Sequence, residues 1–127
     1  MDFTELLAFK KSFSLAMEIF NISKSFPKEE TYSLTDQIRR SSRSVCSNFA
    51  EAYRKRFYTQ HFIKILTDCD AECSETSVWL DFSKDCNYIS EEQHSLLKSK
   101  CDKVGSVLGN MISNPENFQK KPENSKR

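Results

Sequence analysis

The chain has 127 residues, 38% of them hydrophobic and 29% charged, with two Gly, three Pro and a formal net charge of +1. That length fits one domain, able to bury roughly two-thirds of the surface its unfolded chain exposes, and so few turn formers exclude a fold of many short strands. No apolar run approaches the roughly 18 residues of a membrane span, and near-neutrality leaves the molecule as a whole without a strong electrostatic preference.

The start, Met1-Asp2-Phe3-Thr4-Glu5, has neither a basic region nor a long apolar one, so no secretory signal is expected and the protein is read as cytoplasmic. Five cysteines (Cys46, Cys69, Cys73, Cys86, Cys101) are an odd number without a CxxC pair, which points to reduced thiols.

A first helix is predicted from Phe3 to Lys24. Leu6, Phe9, Phe13, Ala16 and Phe20 recur at steps of three and four, the spacing of one helical stripe, and Met17 and Ile19 widen it. Pro27 disfavours helical geometry at Phe26 and ends the helix. Ser33 is the expected N-cap of the second, its hydroxyl accepting from the Asp36 amide and Asp36 answering as in a capping box. Leu34, Ile38, Val45, Phe49 and Ala52 form its apolar stripe as far as Arg56, with small Ser41 or Ser42 admitting a close neighbour.

Thr59 is the expected N-cap of the third helix. Phe62, Leu66, Cys69, Cys73, Thr76 and Leu80 alternate steps of four and three, the seam of a left-handed bundle. Ile65, Val78, Trp79 and Phe82 lie off that seam, so this helix is expected to bury more than one face. The fourth begins at Ser90, where Ser-x-x-Gln to Gln93 is a capping box, and carries Leu97, Cys101, Val104, Leu108 and Met111 on its seam. Short connections force neighbours antiparallel. The expected fold is therefore an all-α, antiparallel up-down-up-down four-helix bundle over residues 1–114, followed by a disordered tail over 115–127.

Chemistry-bearing patterns are sparse. Cys69 and Cys73, at i and i+4, could chelate a metal with His61 or His94, but both sit on the apolar seam, where Cys is a small hydrophobe. No local signature accompanies a serine or cysteine nucleophile. No Glu or Asp has His three residues later, as di-metal bundles require, and glycine is too scarce for a phosphate loop. No cofactor, metal or enzymatic activity is expected.

Charge is more informative. From Gln37 to Lys64, Arg39, Arg40, Arg43, Arg54, Lys55, Arg56 and Lys64 stand against Glu51. From Thr67 to Gln93, Asp68, Asp70, Glu72, Glu75, Asp81, Asp85, Glu91 and Glu92 stand against Lys84. A basic stretch of this kind binds phosphates, docks on the acidic face of a second subunit, or is solvated with intra-bundle pairs such as Glu51 with Lys55. Tyr53, Phe57 and Tyr58 interleave with Arg54, Lys55 and Arg56, a combination that can stack bases, cap the bundle end or line a subunit interface.

The run Gln37-Ile38-Arg39-Arg40-Ser41-Ser42-Arg43-Ser44-Val45-Cys46-Ser47-Asn48-Phe49-Ala50-Glu51 resembles the signature of the four-helix bundle family encoded in intervening sequences of bacterial 23S ribosomal RNA genes. Phe26, Pro27, Glu30, Tyr32 and Leu34 look like that family's first connection, and the resemblance extends from about Leu7 to Ile112. It implies a homo-oligomer, usually a five-fold ring. It also implies similarity to the accessory protein of diversity-generating retroelements, a pentameric barrel that binds nucleic acid and a reverse transcriptase. No catalytic residue is carried over. Arg40, Ser44, Asn48 and Glu51 match the signature's polar positions and share one stripe, suited to a buried hydrogen-bonded network or a subunit contact. Arg39 and Arg43, with Arg54, Lys55 and Arg56, are the expected contacts for RNA or DNA. Ala52 stands where the family has Gly, Ser33 replaces a frequent Gly, and the acidic third helix opposes a polyanion. The expectation is a homo-oligomeric binding or scaffold protein, pentameric by resemblance; the alternative is an assembly module whose basic and acidic faces pair between subunits without nucleic acid.

Overall fold

The computed structural model describes residues 6–119. Four helices, α1 (Leu7–Ser23), α2 (Leu34–Arg54), α3 (Thr59–Asp85) and α4 (Glu91–Ser113), form a four-helix bundle with two short 3-10 turns, Lys28–Glu30 and Pro115–Phe118, and no strand among the described residues. Each helix packs on two others, in the cyclic order α1, α2, α3, α4. Cross-helix contacts record the register: Ser23 meets Arg39, Ser41 meets Thr76, Cys73 meets Cys101, Asp81 meets His94, and Glu18 meets Lys100. Among the described residues no helix is long and apolar enough to cross a membrane.

The seams expected for α2, α3 and α4 line the interior. Ile38, Val45, Phe49 and Ala52 face Phe62, Leu66, Cys69 and Leu80, with Leu97, Val104, Leu108 and Met111 closing the core. A buried side chain the size of Phe49 or Phe62 contributes about 1.5–3 kcal/mol relative to exposure. Ser41 and Ser42 are buried at the α2–α3 contact, where the Thr76 hydroxyl donates to Ser41 Oγ at 2.8 Å. Their small size gives the close approach the sequence implied.

The first helix meets expectation at Ala16 and Ile19 and departs from it elsewhere. Ala8, Ser12, Leu15, Ala16, Ile19 and Ser23 face inward, whereas Phe13 is 51% exposed, Met17 is exposed, and Phe9 and Phe20 are half-buried. The interior already holds the rings of Phe49 and Phe62. Small Ala8 and Ser12 let α1 sit close, and close packing leaves no volume for a second set of phenylalanines. Of the extra apolar residues of α3, Ile65 is buried and Trp79 packs half-buried against the core as expected, whereas Val78 and Phe82 are exposed. The expected helix start at Phe3 lies outside the described residues.

Caps explain the boundaries. Ser90 Oγ accepts from Gln93 N, and the Gln93 side chain accepts from Ser90 N, the reciprocal box read in the sequence. At α2 the expected box is absent: Ser33 is the N-cap residue, but its hydroxyl donates to Glu30 Oε1 at 2.6 Å. Glu30 takes over the cap, accepting from Leu34 N on the same oxygen and from Tyr88 OH at 2.9 Å on the other. The longer Glu side chain reaches both, where Asp36 does not. Thr59 is the first residue of α3 and Tyr58 its N-cap, without a side-chain cap. Asn87, with φ of 63°, ends α3: its amide donates to Lys84 O and that of Tyr88 to Ser83 O, a Schellman closure with Asn in the left-handed position.

The C-terminal expectation is corrected for residues 115–119. Pro115–Phe118 turns back onto α3 and α4, and Phe118 packs against the core. Gln119 Nε2 donates to Arg56 O at 2.7 Å and Thr59 Oγ1 at 2.8 Å. One aromatic anchor and an amide with two acceptors suffice to dock this five-residue segment. The rest of the expected tail, 120–127, lies outside the described residues.

Candidate interaction surfaces

The five cations expected to contact nucleic acid divide into three settings. Arg39 and Arg43, one turn apart on α2, both lie over the Phe20 ring, with guanidinium carbons 4.7 and 5.3 Å from its centroid, and Lys24 Nζ is 4.9 Å away. Arg39 Nε also donates to Ser23 Oγ at 2.8 Å. None of these three cations has a carboxylate within ion-pair distance among the described residues. Arg54 and Lys55 are exposed at the end of α2.

Arg56 is not an accessible phosphate contact. It is 9% exposed, its guanidinium lies 3.9 Å from the Tyr53 centroid and 4.4 Å from that of Phe57, and Nη1 donates to Tyr53 O. The end of α2 folds this side chain back on its own last turn, and Nε has no partner among the described residues. Of the aromatic and basic residues there, Arg56 packs on Tyr53 and Phe57, whereas Arg54, Lys55 and Tyr58 are exposed.

The polar signature stripe does not form a network within the chain. Arg40 crosses to α3, where it pairs with Glu72 at 3.3 Å and with Glu75. Ser44 and Asn48 are half-buried and Glu51 is exposed, and no side-chain hydrogen bond joins them. The Glu75 bond holds the Arg40 guanidinium above its usual pKa. Burial raises Glu72, whereas for Glu75 the Arg40 and Trp79 hydrogen bonds outweigh burial and hold the carboxyl down.

Much of the acidic surface is neutralised in place. Beyond the Arg40 cluster, Lys64 meets Asp68 at 3.3 Å, and Asp81 receives His94 Nε2 at 2.7 Å and Lys98 Nζ at 3.0 Å. The His94 bond, with Lys98, holds the Asp81 carboxyl below its ordinary value. Lys98 Nζ also lies 2.6 Å from Ser77 Oγ. Asp70, Asp85, Glu91 and Glu92 have no cation partner among the described residues.

The cysteine pair at i and i+4 resolves into two environments. Cys69 is fully buried, and burial pushes its thiol up to about 12. Cys73 points at Cys101 of α4, with sulfurs 3.5 Å apart.

Two apolar surfaces face outward. Between α1 and α2, a groove of about 490 Å³ is lined by Phe9, Phe13, Ala16, Met17, Cys46 and Ala50, with Arg43 and Ser47 at its edge. Phe9 and Phe13 stack with centroids 5.7 Å apart. The second, about 420 Å³, lies between α2 and α3 against Tyr32, Leu34, Trp79, Phe82 and Cys86, with Glu30 on its rim. There Phe82 is 53% and Tyr32 93% exposed. A third feature escaped sequence reasoning altogether: Lys10 and Lys11 of α1 meet Lys100 and Lys103 of α4 around a groove of about 240 Å³, and Lys100 is paired with Glu18 at 2.6 Å. Lysines ninety residues apart give no local signal.

Comparison with known proteins agrees with this architecture. The sequence pattern described as 23S rRNA-intervening sequence protein matches residues 4–110. Among curated proteins, no sequence matches. A crystal structure of a protein of unknown function from the S23 ribosomal protein family of Bacteroides thetaiotaomicron is similar, with 27% identity and a TM-score of 0.76, covering 84% of this chain and 98% of that one.

Proposed function

The chain belongs to the family of 23S rRNA-intervening sequence proteins, and we propose that it is a non-catalytic, homo-oligomeric binding and scaffold protein whose basic α2 face takes nucleic acid. We read the bundle as antiparallel, up-down-up-down; between α3 and α4, Cys73 meets Cys101 and Asp81 meets His94, so contact positions rise along one helix as they fall along the other, which supports this.

The observation that carries the assembly is the pair of unlike apolar surfaces, one edged by Arg43 and the other by Glu30. A surface exposing Phe13 and Met17, or Trp79 and Phe82, in one patch is an interaction site. Two different patches with opposite rim charge favour head-to-tail contact between copies, which closes into a ring when the rotation permits. Five members, and a protein partner such as a reverse transcriptase, are what the family resemblance adds. A non-catalytic role is supported by thiols that burial holds protonated, and a cytoplasmic site by five unpaired thiols.

Native mass spectrometry of protein recovered from cells tests both parts. The expected result is one multimeric mass with co-purified nucleic acid. A monomer at every ionic strength overturns the assembly. The second reading, assembly without nucleic acid, is favoured by Arg40 being committed to Glu72 and Glu75; a multimer that binds no RNA or DNA at low salt selects it.

A further inference from the structure

The N-terminal half of α2 and the connection before it enclose a groove of about 530 Å³, whose lining includes Thr31, Thr35, Arg39, Arg43, Ser44 and Ser47. Thr35, Arg39, Arg43 and Ser47 are each four residues apart and therefore follow one stripe of the helix. Three observations make this stripe unusual. Arg39 and Arg43 are oriented by a shared aromatic ring, and Arg39 also by Ser23. Lys24 joins them, so three cations surround Phe20 with no carboxylate in ion-pair range among the described residues. Thr35 is 8% exposed, and its hydroxyl has no hydrogen-bond partner among the described residues.

Two of these, the gathered cations and the unpartnered hydroxyl, are costs within the isolated chain. Like charges gathered around one ring repel, and a buried hydroxyl without a partner forfeits its hydration. A single tetrahedral oxyanion in the groove relieves both, accepting from the two forked guanidinium groups and from Thr35. Two remaining neighbours set the charge balance. Arg40 lines the groove but is committed to Glu72 and Glu75, and Asp36 contributes one negative charge against the two of Arg39 and Arg43.

We propose that this groove is a phosphate-binding site, with Arg39 and Arg43 as charged clamps and Thr35 as the neutral donor. The inference deepens the nucleic-acid reading of α2 and rests on it only for the phosphate's source, a nucleic-acid backbone or a free phosphate. It specifies a built pocket in the first half of α2, separate from the exposed Arg54 and Lys55 at its far end.

The experiment uses the full chain, with inorganic phosphate as the probe and chloride at matched ionic strength as the control, read by calorimetric titration and by unfolding midpoint. Wild type is expected to bind phosphate and to rise in midpoint. Thr35→Val keeps the shape and removes an unpartnered hydroxyl, so without phosphate it is expected to be at least as stable as wild type, with phosphate affinity reduced about tenfold. Arg43→Gln is expected to lose the response. Because phosphate also stabilises proteins by exclusion from their surface, the difference between variants decides. A Thr35→Val protein that responds as wild type does, or a wild type that treats phosphate and chloride alike, overturns the site.

A second arm titrates a single-stranded RNA oligonucleotide. Affinity lost in Thr35→Val and Arg43→Gln together with the phosphate response identifies the backbone as the source; RNA affinity unchanged while the phosphate response is lost identifies free phosphate. RNA binding by a wild type that ignores phosphate sinks the pocket but keeps the nucleic-acid reading. A phosphate response without RNA binding at low salt does the reverse.

Discussion

The sulfur atoms of Cys73 on α3 and Cys101 on α4 lie 3.5 Å apart, and each thiol donates to the other's backbone carbonyl, at 3.3 and 3.2 Å. This reciprocal contact stitches two helices in the core, and it raises the Cys73 thiol together with burial. Cys69, one turn away, is raised by burial to about 12 from an ordinary 9.0.

Cys69 and Cys73 make stability fall at alkaline pH. A group whose pKa is higher in the folded state contributes fully below its unfolded value and loses that contribution as pH rises toward the folded one. The unfolded chain ionises near 9.0 while the native thiols stay protonated. Each therefore removes about 1.4 kcal/mol of stability per pH unit above that point. Urea unfolding at pH 8, 9.5 and 10.5 checks this, and a flat profile contradicts it. In the folded, unassembled chain a thiol reagent should label exposed Cys86 well before Cys69, Cys73 or Cys101.

The two helix starts predict opposite mutational weights. Ser90→Ala removes a working capping box and should cost about 1 kcal/mol. Ser33→Ala should have a smaller effect, because Glu30 supplies the acceptor for Leu34 N. Glu30→Ala should lower the unfolding midpoint more than Ser33→Ala does, since it also strands Tyr88 OH. The Ser33, Tyr88 and Leu34 hydrogen bonds hold the Glu30 carboxyl below its ordinary value. Its contribution is thus present above the unfolded carboxylate pKa and lost as pH falls through the folded one. Thermal melts at neutral and acidic pH should show the Glu30→Ala deficit shrinking in acid.

Head-to-tail assembly makes an asymmetric prediction. Phe13→Glu spoils the α1–α2 groove and leaves the Trp79–Phe82 surface intact; Phe82→Glu does the converse. Each variant alone should be monomeric by light scattering. Mixed, they retain one complementary pair of surfaces and should form a heterodimer and nothing larger. Full assembly by either single variant rejects these surfaces as the interface.

At the end of α2, neighbouring cations should separate by mechanism. Arg56→Ala removes a buried stem packed on Tyr53 and Phe57 and should cost about 1–2 kcal/mol in urea unfolding. Arg54→Gln and Lys55→Gln should stay within about 0.5 kcal/mol of wild type. Each should instead reduce the salt slope of nucleic-acid binding by about 1 if it neutralises a phosphate. An unaltered slope in both removes this end of the helix from the contact surface.

The seams of α2, α3 and α4, the Ser90 box and the family signature were all legible in residue order. A heptad of Phe62, Leu66, Cys69, Cys73, Thr76 and Leu80 has no other way to bury its apolar side, and a Ser-x-x-Gln start acts within one turn. The basic and acidic stretches were legible too, but not which charges stay free. Arg40 finds Glu72 and Glu75 thirty-odd positions away on α3, and that pairing depends on how two helices cross.

What the sequence determined by itself is therefore the set of helices and the inward face of three of them, because periodicity is local to a helix. Tertiary structure alone decided which face of α1 turns inward. Two stripes competed there, one rich in phenylalanine and one of Ala8, Ser12 and Leu15, and composition favours the first. The volume left beside Phe49 and Phe62 admits the second, since a close-packed interior selects by shape as well as by hydrophobicity. That choice turns Phe13 and Met17 outward and sets Phe20 beneath Lys24, Arg39 and Arg43, creating both the assembly groove and the cationic cluster beside it.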